Sequence, residues 1–546
     1  MTDACTSPGS RSSPLVLALA RDPGLHAWSH VDERCGGFFA LGLAKATGRP
    51  VAVAVTSGTA AAELAPAVHE AREARVPLLV LTADRPAELR EVGAGQTIDQ
   101  LKLYGSAAKW FVEVEMQDLT ALRALACRAY WTALEGRPGV VHLNFPLREP
   151  LVPDEELPAD SSGRADGAPM LDRAEVDQIP VPAALERLLE AVETRPRGAI
   201  VAGRWERGRS LGLAAAGLSE TTGYPVLADP LSGARLPDVA VAHYDALLRD
   251  EDFAAAQSPE LVIRVGDLPT SKPLRAWLAA ADALQIALTP DGVLQDPDGV
   301  VGLSLSSDPA LTLAELNEHV SRAPDAAWVD AWHRADGAAA QAIARALEDE
   351  LSEPRVAAEL GRRLPHDATL VVASSMPVRD VETFFPARGD PPRVLSNRGA
   401  NGIDGTVSTA FGVAAATAEP VVLLIGDVAL AHDLGGLLAA SRLGLKLTIV
   451  LLNNNGGGIF HFLPLAGEDD VFEEHVATPT GLDFSRAAAL FGCDHRPVAD
   501  ADDFGTALDE ALGADATTIL EVRTDRVENL ALHRAVSVAV ASALAR

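Results

Sequence analysis

At 546 residues the chain is longer than one hydrophobic core accommodates, so several domains are expected. With 48% hydrophobic and 22% charged residues, 44 Gly and 36 Pro, it has the composition of a globular protein and not of a disordered one. Against 76 Asp and Glu stand 46 Lys and Arg, and a net charge of −30 argues against nucleic acid or an anionic membrane as partner. In such a field an anionic ligand has to be collected by particular arginines. Cys5, Cys35, Cys127 and Cys493 are scattered without a C-x-x-C spacing. That argues against a zinc site or a disulfide framework and fits a reducing cytoplasm. No apolar run approaches the roughly 20 residues of a membrane span. The start, Met1-Thr-Asp-Ala-Cys-Thr-Ser, lacks the basic-then-apolar pattern of a secretory signal.

From about Pro14 to Pro150, apolar runs at Val51-Ala-Val-Ala-Val, Pro77-Leu-Leu-Val-Leu and Val140-Val-His-Leu alternate with alanine-rich helical stretches. This alternation predicts an α/β domain with a largely parallel sheet. Within it, Glu33 stands at the entry to a helix whose following residues are almost wholly apolar. Burial there would raise its pKa, as a proton-exchanging carboxyl needs. An ordinary helix-start acid facing the dipole is the alternative. Residues 153–182, rich in Pro, Asp, Ser and Gly, read as a linker. A second alternating segment follows over 183–345, with runs at Ala199-Ile-Val-Ala-Gly, Leu261-Val-Ile-Arg-Val and Ala283-Leu-Gln-Ile-Ala-Leu. Gly266-Asp267 at the end of one of these runs reads as a turn.

The third segment, 346–546, holds the most informative pair. Asp427 closes the run Val421-Val-Leu-Leu-Ile-Gly-Asp, and Asn454 follows the run Leu447-Thr-Ile-Val-Leu-Leu-Asn, with Gly456-Gly-Gly directly after. Two strands thus deliver oxygen-bearing side chains to one sheet edge, and the glycines let main-chain carbonyls turn inward, half of an octahedral shell for Mg²⁺. A diphosphate suits the remaining positions. The arrangement resembles the Gly-Asp-x…Asn-Asn signature of thiamine diphosphate enzymes, with Gly426-Asp427-Val428 opening it and Asn453-Asn454 closing it. That likeness implies three consecutive doubly wound parallel-sheet domains of thiamine diphosphate decarboxylase-like architecture: a pyrimidine-binding domain over 1–152, a central domain over 183–345 and a diphosphate-binding domain over 346–546.

Six stretches occur in order: Ser7-Pro-Gly-Ser-Arg-Ser, Asp32-Glu-Arg, Thr56-Ser-Gly-Thr-Ala, Thr82-Ala-Asp-Arg-Pro, Ser396-Asn-Arg-Gly-Ala-Asn-Gly-Ile-Asp-Gly and Asn453-Asn-Asn-Gly-Gly-Gly-Ile-Phe. Together they resemble the 2-succinyl-5-enolpyruvyl-6-hydroxy-3-cyclohexene-1-carboxylate synthase family of menaquinone biosynthesis (the MenD family). The resemblance implies decarboxylation of 2-oxoglutarate with thiamine diphosphate and conjugate addition of the succinyl carbanion equivalent to isochorismate. It further implies catalytic roles for Glu33 and Gln96, and a cofactor site made of Glu33, Ser375, Ile403, Gly426, Asp427, Asn454, Gly456 and Ile459. Mg²⁺, with Mn²⁺ as a substitute, would sit on the side chains of Asp427 and Asn454 and on the carbonyl of Gly456. Arg11, Arg85, Gln96, Lys272, Ser375, Arg379 and Arg398 would bind the substrates; arginine suits multiply anionic ligands because its planar fork pairs carboxylates and stays charged when desolvated. Ile403 would prop the cofactor into a bent shape, although plain core packing explains an isoleucine there equally well. A homodimer, or a tetramer of two such dimers, is implied, since the carboxyl-bearing domain of one subunit faces the diphosphate-binding domain of another.

Two departures shape the expectations. The family pattern places a helix and a strand before Pro-Gly-Ser-Arg-Ser, whereas seven polar, turn-like residues precede Pro8. A first domain missing an inner strand, with Arg11 loosened, is therefore expected, and a start placed too far downstream is the economical explanation. Pro273 stands where relatives carry a second cation beside Lys272, and Arg275 is the candidate to replace it. The alternatives are another thiamine diphosphate-dependent 2-oxoacid lyase, or a non-catalytic paralogue with a truncated first domain.

Overall fold

The computed structural model describes residues 1–115, 118–152, 162–174, 178–207, 210–468 and 470–546. The first sheet contains β1 (Asp3–Thr6), β2 (His26–Ser29), β3 (Val51–Val55), β4 (Leu78–Asp84), β5 (Ala108–Glu113) and β6 (Val140–Pro146). Its spatial order is β2-β1-β3-β4-β6-β5. The second contains β7 (Gly198–Ala202), β8 (Val226–Ala228), β9 (Ala240–Val241), β10 (Leu261–Val265), β11 (Leu284–Leu288) and β12 (Val301–Leu305), ordered β12-β11-β10-β7-β8-β9. The third contains β13 (Thr369–Val372), β14 (Arg393–Ser396), β15 (Val421–Gly426), β16 (Thr448–Asn453), β17 (Asp494–Val498) and β18 (Thr518–Arg523), ordered β14-β13-β15-β16-β18-β17. Every pairing is parallel, including β1 with β2 and β3, and β15 with β16. Helices cover both faces of such sheets, so the central strands are continuous apolar runs: β3 is buried along its whole length, as is β15 up to Gly426.

The first domain does not lack an inner strand, contrary to expectation. Asp3–Thr6 is itself a strand, β1, seated between β2 and β3. Ala4 and Cys5 are fully buried in it. Its polar ends hid it: Trp28 Nε1 donates to Asp3 Oδ1 at 3.0 Å, a local arrangement that gives Asp3 a partner at the sheet margin. Arg11 is accordingly held and not loose. Of the expected linker, 153–161 and 175–177 lie outside the described residues; the described part, 162–174 and 178–181, carries no helix or strand, and Pro182 already opens the helix Pro182–Glu193.

The third domain is the hub. One apolar core runs from it into the first domain and another into the second. Against the first domain, helix Glu33–Thr47 crosses helix Thr406–Ala415 at backbone contact. A Cβ on Gly42 would stand 2.1 Å from the Thr409 carbonyl oxygen, and one on Gly412 would stand 2.0 Å from that of Phe39. Beside this crossing the buried ammonium of Lys45 pairs with Glu206 Oε2 at 3.0 Å, and Glu206 accepts the Ser396 N–H at 3.0 Å, so one ion pair ties all three domains. Gly266-Asp267 is a turn, as expected, but Asp267, paired within its own domain with Arg204, also joins the first domain through Arg75 at 2.7 Å.

Candidate active site

Asp427 and Asn454 follow adjacent parallel strands whose register sets Gly426 opposite Leu452. Asp427 is 1% exposed, and burial pushes its carboxyl up to about 6, opposed by the N–H groups of Val428, Asp427 itself and Gly456. Asp427 Oδ2 and Asn454 Oδ1 are both buried with no hydrogen-bond partner among the described residues. Each such orphan costs roughly 1–3 kcal/mol. Two hard oxygens, one of them anionic, match what a divalent cation such as Mg²⁺ requires. Gly456 joins them with φ +147, a backbone only glycine adopts readily, and a Cβ there would lie 2.8 Å from the Ala477 carbonyl oxygen. Its N–H turns to Asp427, while its carbonyl accepts the Gly458 N–H at 3.0 Å and keeps a second lone pair. Ile459 is half-buried in the short turn Gly458–Phe462 that follows.

Ile403 is half-buried against the core shared by the first and third domains. Two residues on, Gly405 has φ +61 and a Cβ there would fall 1.9 Å from the Phe38 ring, so only glycine lets this loop meet the Glu33 helix. Glu33 is the first residue of that helix, behind the cap Asp32, whose side chain accepts the Arg34 N–H. Burial raises its carboxyl, and the like charges of Asp32 and Glu63 add to the rise. The shift has the direction that proton exchange needs. Among the described residues no hydrogen bond or ion pair connects Glu33 to Asp427 or Asn454.

The expected arginines fall into two pairs. In the first domain, Arg11 is 9% exposed and donates to the Leu147 carbonyl at 2.8 Å and to Glu149 Oε1 at 3.2 Å. Arg85, at the end of β4, donates to Ser57 Oγ, and burial lowers its pKa with the neighbouring Arg11 adding. Gln96, at φ +55, donates to the Ser57 carbonyl at 2.9 Å and accepts Ser57 Oγ–H on its own carbonyl at 3.1 Å. In the third domain, Ser375 at φ +74 precedes the helix Met376–Phe384, and Arg379 folds back onto its carbonyl. Arg398 reaches Ser374 Oγ at 3.4 Å, and its pKa is lowered by burial and then by Arg379. Arg85, Arg379 and Arg398 make no ion pair with a carboxylate among the described residues.

Lys272 opens the helix Lys272–Ala280 and is exposed. The preceding Ser271 donates to Asp245 Oδ1 at 2.7 Å, and Thr383 of the Arg379 helix donates to Asp245 Oδ2 at 3.0 Å. This bridge sets the Lys272 end beside the third-domain pair. Arg275, the candidate for the second cation, is paired with Asp298 at 2.7 Å on the surface. Ser57, Ser374 and Glu353, each touching an expected site residue, were not singled out from the sequence. Ser57 lies inside the stretch Thr56-Ser-Gly-Thr-Ala; Glu353 looks like any helix-start acid.

The description "Thiamine pyrophosphate enzyme, N-terminal TPP binding domain" matches residues 1–103, "Middle domain of thiamine pyrophosphate" matches 177–372, and "Thiamine pyrophosphate enzyme, C-terminal TPP binding domain" matches 377–522. The chain is similar to a 2-succinyl-5-enolpyruvyl-6-hydroxy-3-cyclohexene-1-carboxylate synthase of Geobacillus kaustophilus, 44% identical over 98% of this chain and 94% of the relative. Enzymes of that name from Chloroflexus aurantiacus and Listeria monocytogenes are 44% and 41% identical, over 100% and 99% of this chain and 94% and 95% of theirs. Among solved structures, one described as a thiamin diphosphate-dependent enzyme of Mycobacterium smegmatis superimposes with a TM-score of 0.69 over 96% of each chain at 20% identity, a likeness of fold.

Proposed function

The chain belongs to the 2-succinyl-5-enolpyruvyl-6-hydroxy-3-cyclohexene-1-carboxylate synthase family of thiamine pyrophosphate enzymes, and we propose that it joins the succinyl unit of 2-oxoglutarate, with loss of CO₂, to isochorismate. The observation that carries this reading is the set of unpaired, half-buried arginines, Arg85, Arg379 and Arg398, in a molecule of net charge −30. Arg85 is crowded by Arg11 and Arg398 by Arg379, and partly desolvated cations without a carboxylate ion pair among the described residues call for anionic ligands. Both substrates are multiply anionic; a small neutral acceptor would leave these charges uncompensated.

Thiamine diphosphate, when bound, supplies the electron sink for decarboxylation. The chain's own residues do the rest. Asp427 and Asn454, with the Gly456 carbonyl, would hold Mg²⁺, or Mn²⁺ in its place, and through it the cofactor's diphosphate. The raised Glu33 carboxyl would hold and release a proton at its oxygens toward the cofactor's pyrimidine ring. Arg379, Arg398 and Lys272 would bind substrate carboxylates from one group of residues, and Arg11, Arg85 and Gln96 from the other.

The two groups of residues stand on separate domains with no hydrogen bond between them among the described residues, which supports a site completed by a second copy in a homodimer or in a tetramer of dimers. Exposed apolar residues beside each group agree: Val31 is 57% exposed next to Glu33, and Leu463, Leu465 and Val471 lie uncovered beyond the Gly456 loop. Four free cysteines support a reducing, cytoplasmic setting, and no helix of the described residues is long and apolar enough to cross a membrane. An assay with 2-oxoglutarate and isochorismate tests the function. Isochorismate is expected to disappear only when thiamine diphosphate and a divalent metal are both present; persistence of isochorismate while CO₂ evolves would assign another acceptor.

A further inference from the structure

We infer that Glu353 is the positioning residue that turns the amide of Asn454 so that its oxygen, and not its nitrogen, is presented to the metal. The inference rests on the reading of Asp427 and Asn454 as cation ligands. Glu353 is the first residue of helix Glu353–Arg363, behind the cap Ser352. An acid there ordinarily stays in water, near the positive end of the helix dipole. This one is 1% exposed. Its Oε1 accepts Asn454 Nδ2–H at 2.8 Å and Thr524 Oγ1–H at 2.8 Å. Both donors belong to the carboxyl edge of the third sheet: Asn454 follows β16 and Thr524 follows β18, and the Thr524 N–H is bonded to the Asn453 carbonyl at 3.1 Å.

An asparagine amide has nearly the same shape in its two flipped orientations, and one of them would place N–H groups where a cation needs a lone pair. An acceptor at Oε1 removes that choice, because only the nitrogen end of Asn454 can donate to it. The consequence is visible at the other end of the amide. Asn454 Oδ1 is buried and unpartnered, and Asp427 Oδ2 is in the same condition. Close packing keeps the assembly in register, since a Cβ on Gly458 would stand 2.8 Å from Asn454 Nδ2. Groups that orient metal ligands typically alter metal affinity by about 10–100-fold when replaced.

The test is calorimetric titration of the full-length, metal-free protein with Mn²⁺ in the presence of thiamine diphosphate, comparing wild type, Glu353→Gln, Asn454→Ala and the double variant Glu353→Gln/Asn454→Asp. In Glu353→Gln the new amide can donate to Asn454 Oδ1 and swing it round, so the Mn²⁺ dissociation constant is expected to rise about 10-fold or more. The double variant reverses donor and acceptor: the amide introduced in place of Glu353 donates to one oxygen of the new carboxylate and leaves the other for the metal. Its Mn²⁺ affinity is expected to return to within about threefold of wild type, a rescue that a merely structural role would not produce. Glu353→Gln binding Mn²⁺ like wild type, while Asn454→Ala binds weakly, overturns the positioning role and leaves the ligand reading intact. Wild-type affinity in Asn454→Ala overturns the ligand reading, and the inference with it. Should Glu353→Gln fail to fold, the double variant decides alone, with recovered affinity supporting the inference and lost affinity overturning it.

Discussion

Glu33 and Arg398 separate two kinds of demand on single side chains. In the proposed reaction Glu33 needs a carboxyl whose proton is shared easily, and its half-buried place at a helix start, near the like charges of Asp32 and Glu63, shifts it that way. Glu33→Gln keeps the shape and removes the exchangeable proton. Turnover is expected to fall by about 10²–10⁴-fold, with Mg²⁺-dependent binding of thiamine diphosphate still measurable by calorimetry; near-normal turnover would remove Glu33 from the chemistry. Arg398 works by charge instead. It stands next to Arg379, so its guanidinium is poised for an anion, and losing a hydrogen bond to a charged group costs roughly 1.5–3 kcal/mol. For Arg398→Ala the KM for 2-oxoglutarate is therefore expected to rise about 10–100-fold, with the half-saturating cofactor concentration little changed. An equal loss in both would reassign the residue to the cofactor.

Between elements, the tightest constraint is the crossing of helices Glu33–Thr47 and Thr406–Ala415. The glycines Gly42 and Gly412 each face a carbonyl of the opposite helix at a distance that admits no Cβ. Alanine at Gly42 would improve helix propensity by about 1 kcal/mol, yet it would force the helices apart. Overpacking of this kind typically costs about 1–3 kcal/mol, and the obstacle is backbone, which yields little. Gly42→Ala is thus expected to lower the melting temperature, read by calorimetry, and to weaken activity by moving Glu33 and the Ile403 loop together. A raised melting temperature would show that helix propensity outweighs the crossing.

Over the whole molecule, the first and third sheets share one strand order, with β1, β3 and β4 occupying the places of β13, β15 and β16. The expected site residues follow from it: Arg11 and Arg85 come after β1 and β4, with their neighbour Ser57 after β3, and Ser375, Asp427 and Asn454 come after the second set. Ligands of open parallel sheets gather at such carboxyl edges. In the proposed site one edge belongs to the domain of the acid Glu33 and the other carries the proposed metal ligands, so each would need the other. Co-expressed Glu33→Gln and Asp427→Ala chains, inactive separately, are expected to recover roughly a quarter of wild-type activity, because half of the random dimers then hold one intact site. No recovery, despite mixed dimers seen by native mass spectrometry, would place the whole site within one chain.

Apolar runs in the chain itself mark the inner strands β3, β4, β6, β7, β8, β10, β11, β13, β15, β16 and β18, because a strand covered by helices on both faces must be apolar throughout. The strands at the sheet margins, β2, β5, β9, β12, β14 and β17, leave no such run. One of their sides has no neighbouring strand, so residues such as those of Asp494-His-Arg-Pro-Val are tolerated. Short β1, with polar ends, is hidden for a different reason: four residues are too few to show a period. The same division holds in the site. Asp427, Asn454, Glu33 and the arginines stand in recognisable stretches, since each follows a strand or opens a helix at a fixed point in the chain. Which arginine neighbours which, that Arg275 is spent on Asp298, and that Glu353 faces Asn454 were settled by folding, because strand order and helix crossing bring together side chains that lie far apart in the chain, and local composition carries no record of such meetings.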